Sequence, residues 1–256
     1  MTEPLLQVDG VSLRFGGVHA LTEVSFHIDP GELFAIIGPN GSGKTSIFNC
    51  LNGVYQPQDG SMRFKGHELV GMKPAAIARL GLGRTFQNLG LFAQLDIVDN
   101  LMLGRHMKMQ TGFVAGALFW GRARREELVH RRAVEDVIDL LDLSPYRGSP
   151  VGLLPYGIQK RLELGRALAM EPDLLLLDEP AAGMNLEETE DLARYLLEVQ
   201  AMHTMSMLLV EHDMPFVMDL ADRVMALDFG NPIAVGTPDE IQENPDVIAA
   251  YLGASA

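Results

Sequence analysis

The stretch that most limits what this chain can fold into begins at Leu33. Five apolar residues, Leu33 to Ile37 (LFAII), run without a break into GPNGSGKT (Gly38 to Thr45) and then into SIFNCLNGV. A short, wholly apolar run predicts a strand buried on both faces, as found in parallel sheets flanked by helices. The glycine-rich stretch after it matches GxxxxGK(S/T), a pattern that gains meaning when it stands between such a strand and a helix. The expected fold class is therefore α/β with a P-loop NTPase (RecA-like) core.

Each loop position has a chemical reason. Gly38, Gly41 and Gly43 permit positive φ and close backbone approach, so successive N–H groups can wrap a β-phosphate while the helix N-terminus adds its positive dipole end. Lys44 offers a cation to the β- and γ-phosphates, and the Thr45 hydroxyl is placed to ligand Mg2+. Pro39, Asn40, Ser42 and Ser46 complete the expected nucleotide-binding segment. The bland alternative, a glycine-rich turn with a fortuitous lysine, does not account for the strand and helix on either side. Further on, LLLLDEP predicts a second buried strand ending at Asp178. Asp178 is expected to reach Mg2+ directly or through water, and Glu179 is the candidate general base for a water attacking the γ-phosphate. A base at that position implies hydrolysis.

Around these motifs the pattern is consistent with one domain. Leu5 to Phe15 and Glu23 to Ile28 read as early antiparallel strands, broken at Asp29-Pro30-Gly31. Met62 to Phe64 is a further strand candidate, and Pro74 to Leu80 has helical composition. Residues 97–168 read as an inserted helical subdomain, with Val134, Val137, Ile138 and Leu141 spaced for one apolar face. A helix from Leu186 to Met202 and a strand from Met207 to Val210 resume the β/α alternation. The expected division is a nucleotide-binding core at about 1–96 and 169–229, the helical subdomain between, and a tail at 230–256. Twenty Lys and Arg against 34 Asp and Glu give a net charge of −14, the wrong sign for a general nucleic-acid binder. The single cysteine, Cys50, cannot form an internal disulfide, and the opening MTEPLLQVDG lacks the basic and apolar regions of an export signal, so a reducing cytosol is expected. No run reaches the roughly 18 apolar residues of a membrane-spanning helix.

With these motifs in this order, the chain resembles the ATP-binding subunits of ABC transporters over essentially its whole length. The resemblance implies several roles. Gln87, in GRTFQN, matches the glutamine that touches Mg2+ and the attacking water and couples the site to the permease. His212, in LVEHDM, matches the histidine that contacts the γ-phosphate. Phe15 matches the aromatic that stacks on adenine, although composition alone would make it a core phenylalanine. Leu154, Pro155, Tyr156, Gly157 and Ile158 (LPYGI) occupy the place of the LSGGQ signature at the start of a helix, read as Ile158 to Met170, which serves the γ-phosphate on the partner subunit. Pro155 replaces the serine and Ile158 the glutamine, so hydrogen bonding there must differ. Asn185 stands where many relatives have aspartate.

Within the family, the chain resembles the ATPases of branched-chain amino acid importers. The likeness rests on GRTFQNLGLF (83–92), the LPYG form of the signature, the insertion after Gly104-Arg105-His106, and GNPIAVGTPDEIQENPDVIAAYLG (230–253). It implies ATP and Mg2+ as ligands, membrane permease subunits and a second ATPase subunit as partners, a solute-binding protein in the same system but out of contact, no nucleic acid, and a peripheral place on the cytoplasmic face of the plasma membrane. Relatives of this architecture move other small solutes, so the solute stays open. In the insertion, apolar Thr111 to Trp120 precedes Arg122, Arg124, Arg125, Arg131 and Arg132. Phe113, Trp120 and these arginines can be read as facing the permease or anionic lipid. A packed element followed by a helix of solvated Arg and Glu is the preferred reading. The alternative function is a soluble ABC-type ATPase acting on nucleic acid or ribosomes, but the long coiled coil or second cassette of those groups is not found here.

Overall fold

The computed structural model describes residues 3–85, 90–108, 122–203 and 205–253. Two sheets organise them. Strands β1 (Leu6–Phe15), β2 (Val18–Ile28), β4 (Asp59–Phe64) and β5 (His67–Glu68) form an antiparallel sheet in the order β2-β1-β4-β5. Strands β3 (Leu33–Ile37), β6 (Leu82–Arg84), β7 (Leu174–Asp178), β8 (Ser206–Val210), β9 (Arg223–Asp228) and β10 (Asn231–Gly236) form the second sheet, in the order β10-β9-β3-β8-β7-β6. All its pairings are parallel except that of β10 with β9.

Every residue of β3, β7 and β8 is buried, as the unbroken apolar runs require. Side chains alternate across the sheet. Phe34, Ile36, Leu174, Leu176, Leu208 and Val210 join a core with the antiparallel sheet and helix α1 (Lys44–Leu51). Leu33, Ala35, Ile37, Leu175, Leu177, Met207 and Leu209 join a second core on the opposite face. There α3 (Ile97–Arg105), α4 (Arg122–Leu140), α5 (Tyr156–Leu168), α6 (Leu186–His203) and α7 (Met214–Leu220) contribute, with Ile241 of α8 (Pro238–Gln242) and Val247 of α9 (Pro245–Gly253). The short α2 (Pro74–Arg79) adds Ile77 to the first core.

The expected apolar face of Val134, Val137, Ile138 and Leu141 is buried in the helical core. The signature helix differs from its sequence reading: α5 starts at Tyr156 and ends at Leu168. Pro155 takes the N-cap, where a missing N–H costs nothing, and Pro172 shortly after the end prevents continuation. Four strands escaped the sequence reading: the short β5, β6, β9 and the edge strand β10, the last at the start of the expected tail.

Parallel register brings the strand ends level. Asp178 pairs with Val210, and Val210 with Ile36, so the segments leaving β3, β7 and β8 emerge side by side at one edge of the sheet. That edge is where ligands bind in open α/β sheets. Among the described residues no helix is long and apolar enough to cross a membrane.

Candidate nucleotide site

The loop after β3 borders a cavity of about 320 Å³, lined by Asn40 to Ser46 on one side, Val18, His19 and Ala20 on another, and by Glu179 and Phe229. Gly38 turns at φ +155, where a β-carbon would stand 2.1 Å from the Leu227 carbonyl oxygen, so the loop leaves the sheet through a space that excludes any side chain. Gly43 caps α1 at φ +109, with no side-chain acceptor and no acid in the first turn of that helix. Helix α5 likewise begins without a side-chain cap or a first-turn acid. By contrast α3, α7 and α8 start on the side chains of Asp96, Asp213 and Thr237, which accept their helices' N–H groups. The bare N-termini of α1 and α5 therefore keep donors for an anion.

Lys44 Nζ lies inside the loop and donates to the carbonyls of Gly38 at 2.6 Å and Pro39 at 3.0 Å. Burial lowers its pKa, against the raising pull of Glu179 and Asp178. A positive charge held partly out of water beside two carboxylates is arranged to meet the negative charge of a phosphate chain.

Asp178 ends β7 fully buried. Its Oδ2 accepts from Arg84 at 2.8 Å, while Oδ1 has no hydrogen-bond partner among the described residues, nor does the buried Ser42 Oγ. Magnesium takes hard oxygen ligands, one or two from protein and others from substrate phosphate and water. The Thr45 hydroxyl and Asp178 Oδ1 are donors of that kind, and among the described residues no cluster of three or more His, Cys, Asp or Glu could hold a metal by itself. These residues fit Mg2+ brought with a nucleotide. Glu179 adopts a left-handed φ of +47, and its N–H is held by the Val210 carbonyl at 2.8 Å. A non-glycine residue in that region is uncommon and costs energy, and here it turns the side chain onto the cavity wall.

The remaining expected residues distribute unevenly. Gln87 lies outside the described residues, as do Phe113 and Trp120 of the insertion and the side chains of Arg124 and Arg125. Phe15 is 48% exposed at the end of β1, edge-on to Tyr55 at 5.0 Å, and so is no core phenylalanine. His212 is exposed just beyond β8. In the signature, Leu154, Gly157 and Ile158 are buried within the chain, whereas Pro155 and Tyr156 face outward. Asn185 and Glu188 exchange backbone bonds, Asn185 N–H to Glu188 and Glu188 N–H to Asn185 Oδ1. Asparagine therefore does the capping an aspartate would do. Arg131 pairs with Glu127 one turn away on α4, as a solvated helix face requires.

Several neighbours of the site were not read from the sequence. Glu211, 1% exposed, accepts from the N–H groups of Ala181 at 2.8 Å and His212 at 3.1 Å, tying the loop after Glu179 to the His212 segment. Burial pushes its carboxyl pKa up. An acid at the end of an apolar strand was the available signal. Tyr156, already named in the signature, has a contact that was not read: its hydroxyl donates to the Ala182 carbonyl at 3.1 Å, linking the start of α5 to the same loop. Tyr251 of α9 brings its hydroxyl to the backbone of Gly38, and burial pushes its pKa up to about 12. A larger hollow of about 740 Å³, bordered by Leu140, Leu168, Glu171 and Met205, lies by the opposite end of β7 and touches none of these motifs.

Known proteins were compared with this chain as a whole. A family model described as ABC transporter matches residues 21–182, and one described as branched-chain amino acid ATP-binding cassette transporter matches residues 231–256. The high-affinity branched-chain amino acid transport ATP-binding protein BraF of Pseudomonas aeruginosa is 41% identical over 253 residues, 99% of each chain. The corresponding protein LivG of Escherichia coli is 40% identical over the same share of both chains. The crystal structure of the ADP conformation of MJ1267, an ATP-binding cassette of an ABC transporter, matches with a TM-score of 0.85 at 27% identity, covering 98% of this chain and 100% of that one. The chain therefore belongs to the ABC transporter family, among the ATP-binding proteins of branched-chain amino acid transport.

Proposed function

We propose that this cassette hydrolyses ATP to energise uptake of branched-chain amino acids, or a similar small solute, through a membrane permease. The observation that carries the reading is the meeting of Lys44, Thr45 and Glu179 on one cavity at the ends of the central strands. Backbone N–H groups of the loop and the α1 N-terminus hold the phosphates, Lys44 neutralises the β- and γ-oxygens, and Phe15 offers a flat exposed ring to the adenine. Thr45, Asp178 and Gln87 would hold Mg2+, which when bound neutralises charge developing on the transferred phosphate. Glu179 takes the proton of the attacking water, and His212 contacts the γ-phosphate. On a second ATPase subunit, the bare N-terminus of α5 and its Leu154 to Ile158 segment meet the nucleotide from the opposite side.

The partners follow from that reading. Permease subunits hold the cassette on the cytoplasmic face of the plasma membrane, a solute-binding protein supplies the cargo without touching this chain, and nucleic acid has no part. The segments 1–96 with 169–229, 97–168 and 230–256 act as nucleotide core, helical subdomain and tail. The soluble-ATPase alternative finds no support in relatives that match over 99% of both lengths and are named for transport. Uptake of labelled leucine by a strain lacking this chain, complemented with wild type or Glu179→Gln, tests the function. Restored uptake with wild type and none with the variant is expected; equal uptake in the strain lacking the chain would refute it.

A further inference from the structure

Arg84 stands at the end of β6, in the GRTFQN stretch that leads to Gln87, and the roles above leave it unused. It spans two neighbouring elements at once. Nη2 donates to Asp178 Oδ2 at 2.8 Å, and Nη1 donates to Asn49 Oδ1, on α1, at 3.0 Å. The guanidinium carbon lies 5.7 Å from the centre of the Phe48 ring, and the side chain is only 16% exposed. The fork is thus fixed by a carboxylate, an amide and an aromatic face. A planar guanidinium with donors at set angles can bridge in this way, and a point-like ammonium cannot.

The effect on Asp178 is an asymmetry between its two oxygens. Oδ2 is taken from the side of β6 and α1, while Oδ1 is buried with no hydrogen-bond partner among the described residues. A buried carboxylate oxygen in that condition is unfavourable unless another ligand satisfies it. We propose that Arg84 is a positioning residue for the divalent cation that accompanies the nucleotide, fixing the Asp178 carboxylate by one oxygen and reserving the other for the cation. The inference rests on the nucleotide reading above. It makes cation affinity depend jointly on the phosphate-loop helix, through Asn49, and on the strand that precedes Gln87.

The probe is Mn2+, which favours the same oxygen donors as Mg2+ and is followed directly by electron paramagnetic resonance. The full chain with ADP is titrated as wild type, Arg84→Lys, Asn49→Ala and the double variant. Arg84→Lys keeps the charge and loses the fork, and Asn49→Ala keeps Arg84 and removes one support. Both single variants are expected to weaken Mn2+ binding about tenfold, the usual cost of losing a partner behind a metal ligand. ADP affinity in EDTA should stay unchanged, and the double variant should be no weaker than Arg84→Lys, since both act through one fork. Unchanged Mn2+ affinity in the folded variants overturns the proposal. So does an equal loss of ADP affinity in EDTA, which would give Arg84 a role in loop structure only. If Arg84→Lys does not fold, Asn49→Ala decides alone. Failure of wild type to bind Mn2+ with ADP would instead overturn the nucleotide reading.

Discussion

Gly38 and Gly41 occupy the same loop, yet the structure gives them opposite liabilities. Alanine at Gly38 places its methyl carbon 2.1 Å from the Leu227 carbonyl oxygen and 2.6 Å from Ser42 Oγ. Even weak C–H···O contacts stand at about 3.3 Å, so the loop or β9 must retreat by about 1 Å. Overpacking of that kind costs about 1–3 kcal/mol, and a side chain at φ +155 adds about 1–3 kcal/mol of backbone strain. With roughly 4 kcal/mol lost and a Tm shift of about 2–4 °C per kcal/mol at this length, Gly38→Ala should melt on the order of 10 °C lower. Alanine at Gly41, φ +83, meets nothing within 4 Å. Only left-handed backbone strain of about 1–2 kcal/mol applies there, and the methyl group enters the border of the nucleotide cavity. Thermal unfolding without nucleotide, followed by titration with ATP, separates the two effects. Gly38→Ala should lose mainly stability, and Gly41→Ala mainly affinity. A Gly41→Ala protein that melted below Gly38→Ala, or bound ATP as wild type does, would refute the division.

Two further outcomes follow from the site. Glu179→Gln preserves shape and should keep ATP binding while steady-state turnover falls by about 10²- to 10⁴-fold, and wild-type turnover would remove Glu179 as base. Burial lowers the Lys44 pKa in the free chain, whereas bound phosphates favour its charged form, so ATP binding should take up a proton in alkaline solution. Affinity should then fall as pH rises through that lowered pKa, earlier than an ordinary lysine would cause, and Lys44→Arg should flatten the fall. Calorimetry in two buffers of different ionisation enthalpy measures the uptake; none, with matching pH profiles, would contradict it.

What could be read beforehand depended on whether a residue's meaning is carried by its chain neighbours. LFAII and LLLLD were legible as strands because two-sided burial leaves an unbroken apolar run, and the phosphate loop because its donors are consecutive. β6 was not legible. Its strand state comes from pairing Leu82, Gly83 and Arg84 with Leu174, Leu175 and Leu176, far away in sequence. The turn between β9 and β10 was hidden for another reason. Phe229 and Gly230 both take positive φ, a geometry usually announced by asparagine or glycine, and here the first position is a phenylalanine left 79% exposed at the cavity edge. Arg84, Glu211 and Tyr251 gain their roles only once parallel register sets β7 beside β6 and β8 and the tail folds back to Gly38. The signature helix keeps its expected 13 residues but sits two positions earlier, because Pro155 serves as its N-cap.

The central claim is that this cassette works as the motor of a membrane importer. The most direct test expresses tagged Glu179→Gln protein in its native host, holds it with ATP and Mg2+, solubilises the membranes and identifies the co-purifying proteins by mass spectrometry. Recovery of permease subunits together with a second ATPase subunit is the predicted result. Recovery of this chain alone, or of this chain with nucleic acid, would contradict the account.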